Sequence, residues 1–466
     1  MKPLHTKIDD ALNKISSPKR MEPKSWKIIG VVILAPFMTF MDSTIVNVSL
    51  SSINESLHSS LATTQWIITS YLLVLALMLP LNAWLVGRFG TKKLYLFCFS
   101  AFTLASLLCG LAQTMPQLIA ARVLQGAAGG LLTPLMQLMM VRIAGKQMAR
   151  VMGYAAAPIL LAPLLGPPLA GVILKYAEWR WLFYINLPVG ILAVILAAII
   201  IPHDKGRLIK HPFDLPGFLM LTPGLFFILY GVEEYSYHYD ALVLLLGFLL
   251  LGSFIWYALR KKDKALIDIQ LFKISTFSIA AVTQFLSNGL MYAGQFLVPL
   301  YLISGAGLST TEAGWTLGIM GIGMMCAYPC VGFLTDKFGC RAVSSTGAFV
   351  NFLGTIPFLW MAHSGYSTLL ASAALFVRGV GQGGTGLPSL AAAYASIPKN
   401  KLAYATTSIN IVQRLGGPIF TTVLAIVISL SLPSNNLLKS ETFQIPFLVL
   451  NIFQICMIVS ALQLPK

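Results

Sequence analysis

Four ionisable side chains fall inside long apolar stretches of the sequence: Asp42, Arg122, Arg378 and Arg414. A charge at the centre of a bilayer costs about 2.5–3.5 kcal/mol on insertion scales, so each group must be paired, solvated or functional. Asp42 is the only acid deep within such a stretch. A carboxyl group that faces water and a dry cavity in turn can take up and release a proton near neutral pH. Asp42 therefore indicates proton chemistry, and a carboxylate locked to an arginine or to the backbone is the alternative.

Arg122 begins a stripe of small and polar residues on one face of its predicted helix. The stripe continues through Gly126, Gly129, Gly130, Thr133 and Gln137. Such a face should look into a helix bundle, because lipid would not solvate it. Met38, Asp42 and Val46 share another helix face, so a cavity lined by it would present the carboxyl group to a solute or to Arg122. An arginine that only joins two helices through backbone carbonyls is the alternative.

Two further helices carry polar residues at helical spacing, and they are the candidates for lining a substrate cavity. The candidate cavity residues of the whole chain are Met38, Val46, Gln125, Gln137, Gln284, Asn288, Tyr292, Gln295, Asn410 and Arg414. Amides, aromatic rings and a single acid suit a small amphipathic organic molecule. Hydrogen bonding between helices is the alternative use of the same side chains.

The elements that position these residues are membrane-spanning helices. Hydrophobic residues make up 57% of the chain and charged residues only 10%, which is the composition of a protein whose solvent is lipid. A bilayer core needs roughly 20 apolar residues per helix, and about fourteen such stretches are present. We predict spans at 27–48, 64–86, 94–112, 116–141, 151–174, 181–201, 215–232, 240–259, 276–303, 312–334, 343–361, 366–393, 404–431 and 443–464. Open strands would leave unpaired backbone amides in hydrocarbon, and a closed barrel would show alternating rather than continuous apolar residues, so the predicted fold class is all-α.

The distribution of lysine and arginine predicts the orientation of the chain. Outside the spans, only Lys175, Arg180 and Lys439 fall in odd-numbered connections. The other cations lie on the side of the two termini, which should therefore be cytoplasmic, together with the connections 202–214 and 260–273. These loops account for the net charge of +16, so we predict no nucleic-acid binding. The expected location is the cell membrane, crossed many times.

Cysteine and histidine placement argues against a disulfide framework and a metal centre. The six cysteines fall within predicted helices or at a cytoplasmic helix end, and the six histidines fall in tails or loops. We find no nucleotide-binding glycine loop and no sizeable soluble domain. The sequence therefore favours a transporter without cofactor or metal over a membrane-embedded enzyme or scaffold.

Two connections of the chain resemble each other and indicate a duplicated half. The first runs from Ala83 to Lys92 and includes Arg88 and Gly90, and the second begins at Gly332, which lies 249 residues after Ala83. The second copy contributes Asp336, Gly339 and Arg341. Each copy follows a helix that exits on the basic side, with a glycine that permits a tight turn. Transporters of the alternating-access type are built from such halves.

These motifs resemble the major facilitator superfamily, in particular its fourteen-segment drug:proton antiporters of the EmrB/QacA type. The repeated connection is similar to the family pattern G-x-x-x-D-R-x-G-[RK]-[RK], and the run from Met41 to Val48 is similar to the antiporters' first-helix motif. The run from Arg122 to Gly126 is similar to their fourth-helix motif R-x-x-Q-G. The fifth-helix antiporter motif is matched by Gly153, Ala162, Gly166, Pro167, Ala170 and Gly171.

The resemblance implies a domain plan and a function. It implies a cytoplasmic tail at 1–25, six-helix bundles at 26–201 and 276–466, and a linker at 202–275 that carries two extra helices. It implies export of a small amphipathic compound or drug, driven by the proton gradient across the surrounding lipid membrane. It also implies that Arg122 belongs to the proton-coupling machinery. Proton-coupled uptake of a small metabolite is the rival within the class. A periplasmic adaptor is a further partner that the sequence does not indicate.

The same resemblance assigns conformational roles to two groups of residues. The expected gating residues are Arg88, Gly90, Gly166, Pro167, Gly171, Gly332, Asp336, Gly339 and Arg341. The first connection departs from the family pattern, because Ala83 and Gly87 replace the expected glycine and aspartate. A charged latch between the halves should therefore depend on the second copy.

Overall fold

The structure, a computed structural model, describes residues 22–204, 212–233, 240–261, 265–431 and 439–465. These residues form helices joined by short connections, and none of them forms a strand. The all-α fold class predicted from the sequence is confirmed. The basic tail before residue 22 and the tip of the predicted hairpin at 234–239 lie outside the described residues.

Six helices make up the N-terminal half. They are α1 (Pro23–Ser56), α2 (Leu61–Leu77, continued by Asn82–Phe89), α3 (Thr91–Leu111), α4 (Met115–Ala144), α5 (Met148–Tyr176) and α6 (Trp181–Tyr184, continued by Asn186–Ile200). Ser60 caps α2 by accepting a hydrogen bond from the Thr63 amide at 3.1 Å. Pro80 lies in the 3-10 turn that interrupts α2, where its missing N–H breaks the α-helical ladder.

Two helices form the inserted hairpin, and six more form the C-terminal half. They are α7 (Leu215–Glu233), α8 (Asp240–Lys261), α9 (Ser275–Leu300), α10 (310–338), α11 (340–353, continued by Ile356–Ser364), α12 (Thr368–Ala395), α13 (Leu402–Ser431) and α14 (Gln444–Leu462). A π-helical turn, Tyr301–Gly305, extends α9. Each predicted span therefore coincides with a helix or with a pair of contiguous helical segments.

The duplicated connection has the same backbone conformation in both halves. Gly90 has φ 82° and ψ 163°, and Gly339 has φ 84° and ψ 165°. Only glycine adopts such positive φ values readily, because it has no Cβ. Each glycine turns the chain from one helix directly into the next, so the two copies are one structural motif used twice.

The outer surface of the bundle is apolar. Leu369 and Leu430 are more than four-fifths exposed, and Leu104 and Ile199 are also largely exposed. Nine helical stretches of the described chain are long and apolar enough to cross a bilayer, and one of them, Thr311–Ser364, covers two predicted spans. The protein is therefore embedded in a membrane.

We call the end of the bundle that carries the connections α2–α3, α4–α5, α10–α11 and α12–α13 the basic face. Toward this face the two halves are in contact. Arg150 at the start of α5 forms an ion pair of 2.8 Å with Asp336 at the end of α10. A Cβ at Gly153 would lie 2.5 Å from the Tyr328 carbonyl oxygen, so the α5 and α10 backbones approach as closely as glycine allows. The bundle is closed on this side.

Candidate functional site

Asp42 and Arg122 form a buried ion pair in the centre of the N-terminal half. The Arg122 Nη1 group donates to Asp42 Oδ2 at 2.5 Å, and the side chains of both residues are fully shielded from solvent. α1 supplies the carboxylate and α4 supplies the guanidinium cation, so the pair joins two helices that are far apart in the sequence. A charge-assisted bond of this kind offsets the cost of burying either ion alone.

Amide side chains complete the surroundings of the carboxylate. The Nε2 group of Gln125 and the Nδ2 group of Asn186 each donate to Asp42 Oδ1 at 2.9 Å. Gln125 Oε1 in turn accepts from Arg122 Nη1 at 2.7 Å, and Gln125 Nε2 also donates to Ser106 Oγ at 2.8 Å. Arg122, Gln125 and Asn186 all donate to the Asp42 carboxyl group, which suits its ionised form because that form only accepts hydrogen bonds. We call Asp42, Ser106, Arg122, Gln125 and Asn186 the carboxylate network.

Arg122 has two further partners that tie it to α2. Its Nε group donates to the Ile67 carbonyl oxygen at 3.1 Å, and its guanidinium lies 4.0 Å from the centre of the Tyr71 ring. Arg122 Nη2 and Asn186 Oδ1 are buried and have no hydrogen-bond partner. The site thus has one donor and one acceptor in excess, which a bound molecule or a changed conformation can satisfy.

Protonation of Asp42 would change the contacts between the helices that surround it. Protonation of Asp42 would replace an acceptor oxygen by a donor and would remove the charge that holds Arg122. The bonds that join α1 to α4 and α6 would then weaken together. Because the carboxylate is sealed from solvent in this conformation, proton uptake requires the site to open first. Proton binding at this acid would therefore require the surrounding helices to move.

The other candidate cavity residues of the N-terminal half lie in different places. Met38 and Val46 are buried in apolar clusters on either side of Asp42 along α1. Gln137 lies on α4 between Arg122 and the basic face. Its Oε1 accepts from the Tyr394 hydroxyl at 2.9 Å and from Asn410 Nδ2 at 2.6 Å. Gln137 and Asn410 therefore join the two halves in this conformation, while their role in lining a substrate cavity stays a prediction.

The candidates in the C-terminal half divide between a buried and an accessible group. Gln284 is buried, donates to Ser389 Oγ at 2.9 Å and accepts from Gln413 at 2.6 Å. Asn288, Tyr292, Gln295 and Arg414 are partly or largely exposed. Arg414 also lies close enough to Tyr71 to interact electrostatically with it. Tyr71 thus interacts with an arginine of each half.

The expected gating residues are placed as follows. A Cβ at Gly166 would overlap Thr44, so α5 packs tightly on α1 next to Asp42, and α5 continues as a helix through Pro167. Gly171 has open space around it.

The remaining gating residues belong to the two repeated connections. Gly332 packs on the backbone of Arg150. Arg88 lies over the Trp84 ring at 5.8 Å. Arg341 donates from Nε to the Leu464 carbonyl oxygen at 2.5 Å, which ties α11 to the end of the chain.

Sequence reasoning missed two parts of the site. Asn186 and Ser106 were not singled out. Asn186 is one isolated amide in an apolar stretch, whereas Gln284 was marked by polar residues that recur at helical spacing. Asp204 was also missed, and it contacts Lys92 of the first connection, the copy that lacks the aspartate of the family pattern. Its carboxylate accepts from the Lys92 amide and from Arg142, each at 3.2 Å. Asp204 thus supplies the N-terminal half with an acid that the repeated motif does not encode.

Comparison with known proteins places the chain in a family. The sequence model of the Major Facilitator Superfamily matches residues 32–421. A multidrug resistance protein B homolog of Mycobacterium tuberculosis (strain ATCC 25618 / H37Rv) is 32% identical over 423 residues, which is 89% of this chain and 78% of the relative. A putative multidrug resistance protein MdtD of Yersinia pestis (strain Pestoides F) is 32% identical over 364 residues, which is 76% of this chain and 77% of the relative.

Solved structures share the fold at low sequence identity. The proton:xylose symporter XylE, bound to 6-bromo-6-deoxy-D-glucose, superposes with a TM-score of 0.65 at 14% identity and covers 93% of this chain and 94% of its own. The human organic anion transporter MFSD10 gives a TM-score of 0.66 at 12% identity and covers 94% of this chain and 100% of its own. At such identities the likeness supports the architecture alone.

Proposed function

The chain belongs to the major facilitator superfamily, and we propose that it exports small amphipathic compounds in exchange for protons, with Asp42 as the proton-binding group. The observation that carries the proposal is the buried carboxylate network around Asp42 and Arg122. Relatives named for multidrug resistance support the substrate class. The proton gradient is the energy source, and the proposal includes no cofactor, metal or enzymatic step.

The proposed cycle alternates the proton and the solute on the same group. When the site opens on the side opposite the basic face, Asp42 takes up a proton and releases Arg122. The loss of the charged pair loosens the α1–α4–α6 contacts and favours opening at the basic face. When the proton leaves there, the solute can enter. Competition between two ligands for one site is sufficient for exchange, because binding of one disfavours binding of the other.

The direction of transport rests on the orientation of the chain. We propose that the basic face is cytoplasmic, as the distribution of lysine and arginine predicts. Single cysteines at Lys93 and Lys337, both exposed on that face, should react with an impermeant thiol reagent only from the cytoplasmic side in a background without native cysteines. Labelling from outside intact cells would refute the orientation.

Transport in proteoliposomes tests the function directly. Purified protein should move a fluorescent lipophilic compound against its gradient when an imposed pH gradient drives protons the opposite way. Proton-coupled uptake, the rival function, predicts movement of solute and proton in the same direction. A protein that moves no solute with either gradient would contradict both.

Asp42→Asn tests the assignment of the proton site. The substitution mimics the protonated acid permanently, so gradient-driven export should fall to background while expression and part of the solute binding remain. Asn186→Ala is the matched control, because it removes one neutral donor from the same carboxylate, and we expect a partial loss only. Asp42→Glu should keep partial activity with a shifted pH optimum. Uphill transport by Asp42→Asn with unchanged pH dependence would move the proton site elsewhere.

A further inference from the structure

A groove lies between the end of α5 and the beginning of α6, at the end of the bundle opposite the basic face. It has a volume of about 520 Å³, and its walls include the apolar or aromatic residues Val172, Tyr176, Ala177, Trp181, Ile185 and Pro188. Sites for small molecules typically have volumes of roughly 300–1,000 Å³. The groove is therefore large enough to hold one acyl chain of a lipid.

The groove opens on the lipid-facing surface of α6. Pro188 is exposed and lies at helical spacing from Leu192, Ile195 and Ile199, each of which is at least half exposed. Trp181, at the edge of the groove, is 57% exposed. Exposed tryptophan is typical of the boundary between the bilayer core and water. An occupant of the groove would therefore have its apolar part in the bilayer core and its polar part at this boundary.

A cation without a carboxylate partner stands beside the groove. Lys175 is exposed on the last turn of α5, and its Nζ lies 5.3 Å from the centre of the Tyr176 ring. The neighbouring acid, Glu178, is paired with Arg180 at 3.1 Å. Lys175 forms no ion pair within the part of the chain that the structure describes. Its charge is thus available to an anionic ligand.

The combination of groove and cation matches a phospholipid with a net negative charge. Cations are rare on this side of the bundle, since only Lys175, Arg180 and Lys439 fall in its predicted connections. A lysine at the membrane surface attracts anionic headgroups. The apolar walls suit an acyl chain, and Lys175 suits the phosphate that lies at the end of the lipid nearest the water.

The walls of the groove also belong to the helices that hold Asp42. Ile185 directly precedes Asn186, whose Nδ2 group donates to Asp42 Oδ1 at 2.9 Å. On the other wall, Ile173 packs against the apolar cluster that contains Met41, the neighbour of Asp42 on α1. A chain seated in the groove would fix the beginning of α6, and with it the distance from Asn186 to the carboxylate.

We propose that the groove binds an anionic phospholipid of the leaflet opposite the basic face, with one acyl chain between α5 and α6 and the phosphate on Lys175. The bound lipid positions Asn186 against Asp42 and so stabilises the carboxylate network. Lipid binding is independent of the proposed function, whereas the effect of the lipid on transport rests on proton exchange at Asp42.

Photolabelling of the purified protein in phosphatidylcholine vesicles tests the site. The probes are phosphatidylglycerol and phosphatidylcholine that carry the same photoactivatable acyl chain, and mass spectrometry locates the labelled peptides. Phosphatidylglycerol should label residues 172–188 roughly fivefold more, because one lysine near an anionic lipid contributes about 1 kcal/mol. Lys175→Gln should remove this preference. Lys439→Gln is the matched control, since Lys439 is an exposed cation of another connection on the same side, and it should keep the preference.

A second variant tests the groove itself. Ala177→Trp should fill the groove and suppress labelling by both lipids without lowering the melting temperature. Equal labelling by the two lipids, or a preference that survives Lys175→Gln, would overturn the proposal. Displacement of the label by the fluorescent compound used in the transport assay would assign the groove to the solute and would equally overturn it.

Transport in proteoliposomes tests the positioning of Asn186. A rising fraction of phosphatidylglycerol should increase exchange by the unmodified protein and by Lys439→Gln, and it should leave Lys175→Gln and Asn186→Ala unchanged. A full response of Asn186→Ala would refute the positioning role. If labelling is selective but the vesicles exchange nothing, the proposed function fails and the lipid site stands. If exchange proceeds without selective labelling, the lipid site fails and the proposed function stands.

Discussion

Each half of the protein buries one arginine on its fourth helix, and the two arginines differ in their partners. Arg122 is paired with Asp42 and lies over Tyr71. Arg378 is equally buried, but its bond in the described structure is a 3.2 Å contact from Nη2 to the Leu290 carbonyl oxygen, and its Nε and Nη1 groups have no hydrogen-bond partner. The helix that faces Arg378 presents Gly294 to its guanidinium.

The polar neighbours of Arg378 are neutral. Gln382 accepts from Asn351 at 2.8 Å and donates to Ser287, and Gln454 donates to Asn351 and to Thr355. These bonds join α9, α11, α12 and α14 in the C-terminal half without a titratable acid. The two halves thus differ in that the arginine of the fourth helix has a carboxylate partner in the N-terminal half and only neutral polar neighbours in the C-terminal half.

The largest difference is expected from replacing each arginine by methionine. Arg122→Met leaves Asp42 either as an unpaired buried charge or permanently protonated, which we expect to abolish proton-driven transport and to cost about 3–5 kcal/mol of stability. Arg378→Met removes a cation whose groups are mostly unsatisfied, so the melting temperature should stay the same or rise and transport should persist. Thermal unfolding and transport in proteoliposomes measure both. Equal loss in the two variants would end the distinction between the halves.

A smaller effect is expected from Gly294→Ala. The new Cβ would overlap the guanidinium of Arg378, and overpacking of a buried site typically costs about 1–3 kcal/mol. The same substitution in the Arg378→Met background should cost less, because the methionine side chain is flexible and uncharged. A double-mutant cycle on melting temperatures measures the coupling. If the cost is the same in both backgrounds, Arg378 does not occupy the space that Gly294 leaves.

The smallest effect concerns the two copies of the repeated connection. Asp336→Asn removes the ion pair with Arg150, whose side chains are 21% and 25% exposed respectively, and such pairs contribute about 0.2–1 kcal/mol. Loss of that free energy changes the fraction of molecules whose basic face is closed by up to a few-fold, so the transport rate should fall. Gly87→Asp adds the acid that the first copy lacks and should be tolerated. Spin-label distances between Lys93 and Lys337 measure the closure, and severe, equal loss from both changes would refute the asymmetry.

Particular residues show how far the sequence could predict the site. The intramembrane position of Asp42 and the polar stripe of Arg122 are local properties, because they follow from the cost of charge in lipid and from helical periodicity. The two residues were therefore found before their contact was known. Asn186 and Asp204 were missed because their importance arises from contacts with residues far away in the chain, and a single amide or acid near a helix end has no periodic signal.

The sequence by itself determined the membrane, the helices, the duplicated halves and the expected orientation, because hydropathy, charge and glycine at a tight turn act over a few neighbouring residues. Only the tertiary structure decided that Asp42 is paired while Arg378 is not, that Gln137 and Asn410 join the halves, and that the inserted hairpin contacts both α2 and α13. Each of these depends on which helices pack together. Lipid solvates every apolar helix face alike. Small residues that allow close packing and buried polar groups that form hydrogen bonds between helices therefore determine which helices pack together.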